Sequence, residues 1–237
     1  MRKSILVAAL CAATVCTGLA TAPMAQAATN PNIIGGTEVS SAPWGAQIYW
    51  TSGGSEFDGF ECSGTIIAPQ WAMTAQHCEN ASGIHVKIGN VNFDQGTDVT
   101  VDQQQTSPNG DIALLHLTTA VNTTYMALGN ADPTAGSTNQ IYGWGRTQGT
   151  SPPSPVLKTA NVQVTGTSTD AFGGRAIASR GVDGAAWHGD SGGPEVFNGV
   201  EVGVASTAAN GGSNPQGIQN YASVAASRSW IRQTAGV

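Results

Sequence analysis

Charge is what this 237-residue sequence has least of: Lys, Arg, Asp and Glu together make up 10% of it, against about 25% in an average soluble domain. The little charge present leans acidic, with 9 Lys and Arg against 15 Asp and Glu. The concentrated basic surface of a nucleic-acid binder is therefore missing. Periodic runs of Ala, Leu, Glu and Lys are missing as well, which argues against a helical protein. Past residue 19 no apolar run approaches the roughly 20 residues needed to cross a bilayer. Cysteine is scarce at four residues, and neither an internal repeat nor a low-complexity tail is present.

Glycine is abundant instead, with 31 residues, joined by 11 prolines. Apolar residues come in short stretches parted by Gly, Asn, Ser and Pro, notably at 51–59, 147–155 and 208–217, the punctuation of short strands and loops. The length suits one large β-rich domain or two packed halves, with residues 128–136 as the join. Ile84, Val86 and Ile88 alternate with His85 and Lys87, a half-buried strand that leaves His85 facing solvent. Strands are also expected at 62–67 and 71–75 around Ala68-Pro69-Gln70, through Val99 and Val101, at 112–117 and at 156–164. Asn198-Gly199 between two apolar pairs is a strong hairpin signal. Residues 225–233 are the one helix candidate. The pattern points to antiparallel β structure.

At the amino end, Arg2-Lys3 precedes an apolar run from Ile5 to about Leu19, and Ala25-Gln26-Ala27 supplies a small-x-small cleavage pattern. Residues 1–27 read as an export signal, the run being too short for a membrane anchor. Losing Arg2 and Lys3 from the 9 basic residues leaves 7 against 15 acidic ones, a net of −8. Cys11 and Cys16 leave with the signal. Cys62 and Cys78 remain, an even pair in an oxidising compartment and without metal-ligand spacing, so a disulfide is expected, one that contributes roughly 3 kcal/mol in the chain-entropy model.

The densest chemical signal is His188-Gly189-Asp190-Ser191-Gly192-Gly193-Pro194. A serine between glycines can sit on a sharp turn with its Oγ exposed and backbone N–H groups free to meet an oxyanion. Its hydroxyl needs a base at neutral pH. Gly189-x-Ser191-x-Gly193 also fits the nucleophile elbow of α/β-hydrolases, but there the histidine follows the serine, and no histidine lies beyond His188. The order Asp, His, Ser would need an upstream acid such as Asp58 and a helix-rich α/β chain, against the composition. The order His, Asp, Ser is met by His77, Asp111 and Ser191. His77 ends an apolar strand beside Cys78, and Asp111 opens the apolar run 112–115.

With these residues in view, the sequence resembles the chymotrypsin/trypsin family of secreted serine endopeptidases. The resemblance rests on Ile33-Ile34-Gly35-Gly36, on 62–67 and 71–78 around the histidine, on 111–115, on Tyr142-Gly143-Trp144-Gly145 and on 189–194, in the family's order across residues 33–237. It implies an all-β fold of two packed six-stranded Greek-key barrels, about 33–130 and 131–237, with a short C-terminal helix and the site between them. It implies that Ser191 attacks the scissile carbonyl, His77 moves the proton, Asp111 orients His77, and the N–H groups of Gly189 and Ser191 form the oxyanion hole. It further implies that residues 28–32 are a propeptide whose removal lets the new amino group of Ile33 pair with Asp190. Many relatives carry Lys or Arg before that cut, whereas Asn32 stands here, so a separate processing protease is expected.

Alignment on Ser191 puts Ala185 at the floor of the substrate pocket, with Ala208 and Gly217 as its walls and Ser206 to Ala208 offering backbone to pair with the substrate strand. With no acid at the floor, a buried Arg or Lys side chain of the substrate would lack a partner, so an uncharged residue is expected there. Trp187 replaces a cysteine that pins this pocket in many relatives. His116 is expected to be structural and His188 to border the pocket. Asn80-Ala81-Ser82 and Asn122-Thr123-Thr124 match glycosylation sequons, tripeptides that arise often by chance. Asn90 replaces a carboxylate of calcium-binding relatives, so no metal or cofactor is expected. The partners expected are a peptide or protein substrate and the processing protease, for a secreted monomer that touches neither nucleic acid nor membrane. The readings set against this one are a catalytically silent homologue acting as a binding protein and an esterase-biased hydrolase.

Overall fold

The computed structural model describes residues 33–237; the expected signal and propeptide lie outside the described residues. In chain order the strands are β1 (Ile34–Gly35), β2 (Thr37–Glu38), β3 (Gly45–Trp50), β4 (Phe60–Ala68), β5 (Trp71–Thr74), β6 (Ile84–Ile88), β7 (Thr97–Thr106), β8 (Ala113–Leu117), β9 (Thr138–Gly143), β10 (Lys158–Thr169), β11 (Arg175–Gly181), β12 (Gly184–Ala185), β13 (Pro194–Phe197), β14 (Val200–Ala209) and β15 (Ile218–Ser223). Among the described residues there is one α-helix, α1 (Val224–Ala235), near the carboxyl end.

Strands β3-β4-β5-β8-β7-β6 close into one six-stranded antiparallel barrel. A second runs β11-β15-β14-β13-β9-β10 and is closed by the β10–β11 pairing. Closure leaves neither barrel with a free edge, which an antiparallel sheet of short strands otherwise has to protect. The alternation at 84–88 behaves as its pattern predicts: Ile84, Val86 and Ile88 are buried in the first barrel with Ile48, Ile66 and Leu114. The second core gathers Ile141, Val162, Val164, Ile177, Val202 and Tyr221.

The hairpin at 196–202 forms with Asn198 and Gly199 at φ 50° and 79°, the paired positive φ of a two-residue turn that suits the twist of its strands. Strands β3, β9, β11 and β15 have no counterpart in the sequence reading. The sequence of β11, RAIASRG, shows why: small and polar residues surround a single Ile, too few β-branched residues to stand out from a loop. Residues 34–38, first in the described chain, pair with the second barrel through β1–β12 and β2–β10.

Helix α1 begins where Ser223 Oγ accepts the N–H of Ala226 at 3.1 Å and stops at Gly236 in the left-handed conformation. It buries Val224, Ser227 and Ile231, a spacing of one helical face. Val224 and Ile231 join the core of the first barrel, and the hydroxyls of Ser107 and Ser227 share a hydrogen bond of 2.7 Å. The helix thus straps the second barrel to the first and narrows their relative freedom.

Candidate active site

The site is built where loops of the two barrels meet. After β5 the chain makes a single helical turn, Gln76–Cys78, held from behind by the disulfide between Cys78 and Cys62 of β4. That tether fixes the backbone that carries His77. Asp111, fully buried just before β8, faces it: its Oδ1 accepts the backbone N–H of His77 at 3.0 Å, and its Oδ2 lies 2.7 Å from His77 Nδ1. Ser206 of β14 donates to the same Oδ2 at 2.6 Å. An acceptor facing Nδ1 keeps the proton there, which leaves Nε2 bare and able to take a proton from a hydroxyl.

Burial alone would raise the Asp111 carboxyl, but its bonds to the His77 ring, the charge of His77, the Ser206 hydroxyl and the His77 N–H outweigh this and hold it below its ordinary value. The site therefore keeps a carboxylate beneath a histidine whose side chain is 31% exposed.

Ser191 stands on the turn between β12 and β13. Its carbonyl accepts Ser63 N–H at 2.9 Å, which locks the turn onto β4. Gly192 is why it can approach so closely: a Cβ there would overlap Thr74 Oγ1 and stand 2.8 Å from the nitrogen of Ala75, at a φ of +78°. The serine turn is thus packed on the segment that leads to His77. Among the described residues no hydrogen bond engages Ser191 Oγ.

The neighbouring amides are placed by their carbonyls. The carbonyl of His188 accepts Arg146 N–H at 2.8 Å, and a trans peptide directs the N–H of Gly189 to the opposite side. Ser63 Oγ donates to the carbonyl of Gly189 at 2.9 Å and itself accepts Trp144 N–H at 3.1 Å. Among the described residues the N–H groups of Gly189 and Ser191 donate to no other group.

Asp190 is buried beneath this loop and accepts N–H groups of Gly145 and Trp187, both at 2.8 Å. Burial pushes its carboxyl up to about 7, with those two bonds acting against the rise. Among the described residues it has no cationic partner. Ile33 is fully buried with Ala186 in the core of the second barrel. In the uncut chain its nitrogen is still a peptide nitrogen.

A cavity of about 130 Å³ opens beside Ser191, lined by Ala186, Trp187, His188, Ser206, Ala208 and Tyr221 among others. Of the residues expected at the pocket, Ser206, Ala208 and His188 line this cavity. Ala185 lies one residue behind the lining, buried and paired with Ile34, and Gly217 packs against Asn210 outside it. Two bonds hold the loop beside the cavity: Asn210 Nδ2 donates to the carbonyl of Ala186 at 2.5 Å, and Trp187 Nε1 donates to that of Gly149 at 3.1 Å.

Sequence reasoning missed Asn210, Gln219, Tyr221 and Asp170. Gln219 Oε1 accepts Ala186 N–H at 2.7 Å, while its buried Nε2 has no partner among the described residues. On β15 it shares a face with Tyr221, two residues on. Nothing in the sequence around 219 marks it, because its role depends on a strand pairing made in the fold. The remaining histidines serve locally. His85 and His116 pair with Asp98 and Asp102, each at 2.6 Å, and His116 also meets the Trp71 ring edge-on.

A histidine–carboxylate pair and a glycine-flanked serine in the groove between two antiparallel barrels define a serine hydrolase of the two-barrel class. The chain belongs to the trypsin family, whose model, described as Trypsin, matches residues 33–231, and it is a serine-type endopeptidase. It is 33% identical to Trypsin beta of Drosophila erecta, covering 84% of this chain and 87% of that protein. It is 31% identical to human Kallikrein-12 (88% and 92%) and to Chymotrypsin-like elastase family member 1 of Macaca fascicularis (87% and 90%). In fold it matches the solved structure of neuropsin, a serine protease expressed in the limbic system of mouse brain, with a TM-score of 0.69 at 24% identity, over 81% of this chain and 94% of that one. Among the described residues no helix is long and apolar enough to cross a membrane.

Proposed function

We propose that the protein is a secreted endopeptidase that cleaves peptide bonds through Ser191, His77 and Asp111 by way of an acyl-enzyme, and that it prefers an uncharged residue before the scissile bond. The observation that carries this reading is Asp111 Oδ2, which holds His77 Nδ1 at 2.7 Å and Ser206 Oγ at 2.6 Å beside the cavity that Ser191 borders.

In the forward step His77 Nε2 takes the proton of Ser191 Oγ as that oxygen bonds to the substrate carbonyl carbon. The carbonyl oxygen gains negative charge, which the N–H groups of Gly189 and Ser191 meet; losing one such donor typically costs about 10²–10³ in kcat. His77 then gives its proton to the leaving amine as the peptide bond breaks. Water repeats the cycle on the ester. Asp111 keeps the imidazole in the tautomer that accepts at Nε2 and stabilises the imidazolium in between.

The pocket lining carries no charged side chain, with His188 at its border, and Ala186 and Ala208 offer no partner for a buried cation, so Arg and Lys are disfavoured. Asp190 supports the maturation reading: it is a buried carboxyl with no cationic partner among the described residues, and a cut before Ile33, itself fully buried, would create an amino group that could supply one. Residues 1–27 would direct export and 28–32 would be removed by another protease, Asn32 being unlike a basic cleavage site.

A fluorophosphonate probe applied to protein cut before Ile33 is expected to label Ser191, with no label on S191A. Correctly cut protein that stays unlabelled would overturn the assignment. A peptide-library digest read by mass spectrometry tests the preference, and cleavage mainly after Arg or Lys would refute it.

A further inference from the structure

We propose that Asp170, at the tip of the β10–β11 hairpin of the second barrel, is a positioning residue that fixes the backbone of Asp111. The proposal rests on the triad reading above and adds a component to it.

Asp170 is 7% exposed although it sits at a hairpin tip. Its carboxylate is shared between two tasks. Oδ1 accepts the N–H groups of Phe172 and Gly174, each at 2.9 Å, which shapes the turn Asp170-Ala171-Phe172-Gly173-Gly174. Oδ2 accepts the N–H of Asp111 at 2.9 Å, a bond across 59 residues from one barrel to the other. A second link runs beside it: Ala171 N–H donates to Ser206 Oγ at 3.0 Å, and Ser206 Oγ donates on to Asp111 Oδ2 at 2.6 Å. One hairpin thus holds Asp111 by its backbone directly and by its carboxylate through Ser206.

The approach that makes this bond needs glycine on both sides. A Cβ on Gly110 would overlap Asp170 Oδ2, and one on Gly174 would overlap the carbonyl of Asn109 and stand 2.7 Å from Asp170 Oδ2. Asp111 directly follows Gly110, in the loop between β7 and β8, where the carbonyl of Gly110 accepts Ile112 N–H at 2.8 Å and Asp170 supplies the acceptor for the N–H of Asp111 itself. Buried charge-assisted bonds to backbone amides are shorter and stronger than neutral ones, and a support of this kind keeps a reacting group within the fraction of an ångström that catalysis needs. Asp170 touches neither substrate nor reacting atoms; it acts through Asp111 and hence through His77.

The test uses the enzyme cut before Ile33, residues 33–237, and an uncharged peptide substrate. D170N is the discriminating variant. Its single amide oxygen can still cap the Phe172 and Gly174 N–H groups, but its NH2 then faces the N–H of Asp111, so the hairpin survives and the inter-barrel bond does not. The expected result is a fall in kcat of about tenfold or more with KM within twofold. A change in the low-field proton resonance of His77 Nδ1 should accompany it. D170A, which loses both tasks, should fall at least as far. Should D170N not fold, G174A keeps Asp170 and forces the hairpin off the aspartate loop, and the same split between kcat and KM is expected. Wild-type kcat and an unmoved resonance in D170N or G174A would overturn the proposal, as would a loss confined to D170A. S191A, assayed alongside, separates the two readings: activity retained there would refute the triad whatever D170N does.

Discussion

Thr65 Oγ1 donates to Glu201 Oε2 at 2.7 Å across 136 residues, joining β4 of the first barrel to β14 of the second. Both residues are fully buried, and among the described residues Glu201 Oε1 has no hydrogen-bond partner. Burial pushes the Glu201 carboxyl up to about 8, against the lowering effect of the Thr65 bond. Burial likewise takes Glu195 to about 7, against its bonds from Ser179 and Asn139.

A carboxyl raised by folding keeps a proton that the unfolded chain releases near its ordinary value of 4.5. Between there and about 8 the folded state binds more protons, so stability falls as pH rises and levels off above that range. Asp111 has the opposite sign: held low by His77 and Ser206, it contributes stability at neutral pH that is lost only as pH falls below its ordinary value of 3.8. Thermal melts should therefore show a higher Tm at pH 5 than at pH 8. E201Q should shrink the difference by removing one of the responsible groups, and an unchanged slope in that variant would count against Glu201 as a source.

Removing the charge beneath His77 tests the hydrogen-bonded pair at the centre of the site. Asn at position 111 can present its NH2 to the imidazole and so favours the tautomer with Nε2–H, which cannot accept the Ser191 proton. D111N is expected to lower kcat by roughly 10³–10⁴ at neutral pH while binding of an uncharged competitive inhibitor stays within a fewfold of wild type. A loss of less than tenfold would mean that Asp111 does not set the tautomer.

How much of this was legible beforehand depends on the range of the interaction that makes each feature. His77, Asp111 and Ser191 carry local marks: a strand end beside a cysteine, an acid opening an apolar run, and glycines about a serine. The hairpin at Asn198-Gly199 is equally local. Strands β11 and β15 are held by pairing with each other and with β10 and β14, and their small, polar sequences give no period of their own. Asp170 and Gln219 show the same limit within the site. The run Asp-Ala-Phe-Gly-Gly marks a turn, but neither its contact with Asp111 nor the approach of Gln219 to Ala186 exists until the barrels close.

Gly192 and Gly199 offer a matched pair of tests, since both sit at a φ near +80° and only one is crowded. Alanine at Gly199 meets open space, so its cost is conformational, about 1–2 kcal/mol, and activity should persist. Alanine at Gly192 adds overlap with Thr74 Oγ1 and a 2.5 Å approach to the carbonyl of Ser63, which must push the serine turn off β4. G192A should lose more than about 99% of kcat/KM and melt below G199A. Equal behaviour of the two variants would show that the contact at Thr74 does not position Ser191.

The depth of the substrate pocket should answer to Gln219. Its side chain lies on the same face of β15 as Tyr221, which lines the cavity, and it is anchored by the 2.7 Å bond from Ala186 N–H. Replacement by glycine removes a buried side chain bonded to Ala186 and leaves that N–H without its acceptor, a loss of about 1–3 kcal/mol of stability. Room gained at the inner end favours longer side chains, and each methylene newly accommodated is worth roughly 10-fold or more in kcat/KM. The ratio of kcat/KM for a Phe substrate to that for an Ala substrate should accordingly rise by about tenfold or more in Q219G. An unchanged ratio, with the Tm lowered as expected, would place the floor of the pocket elsewhere.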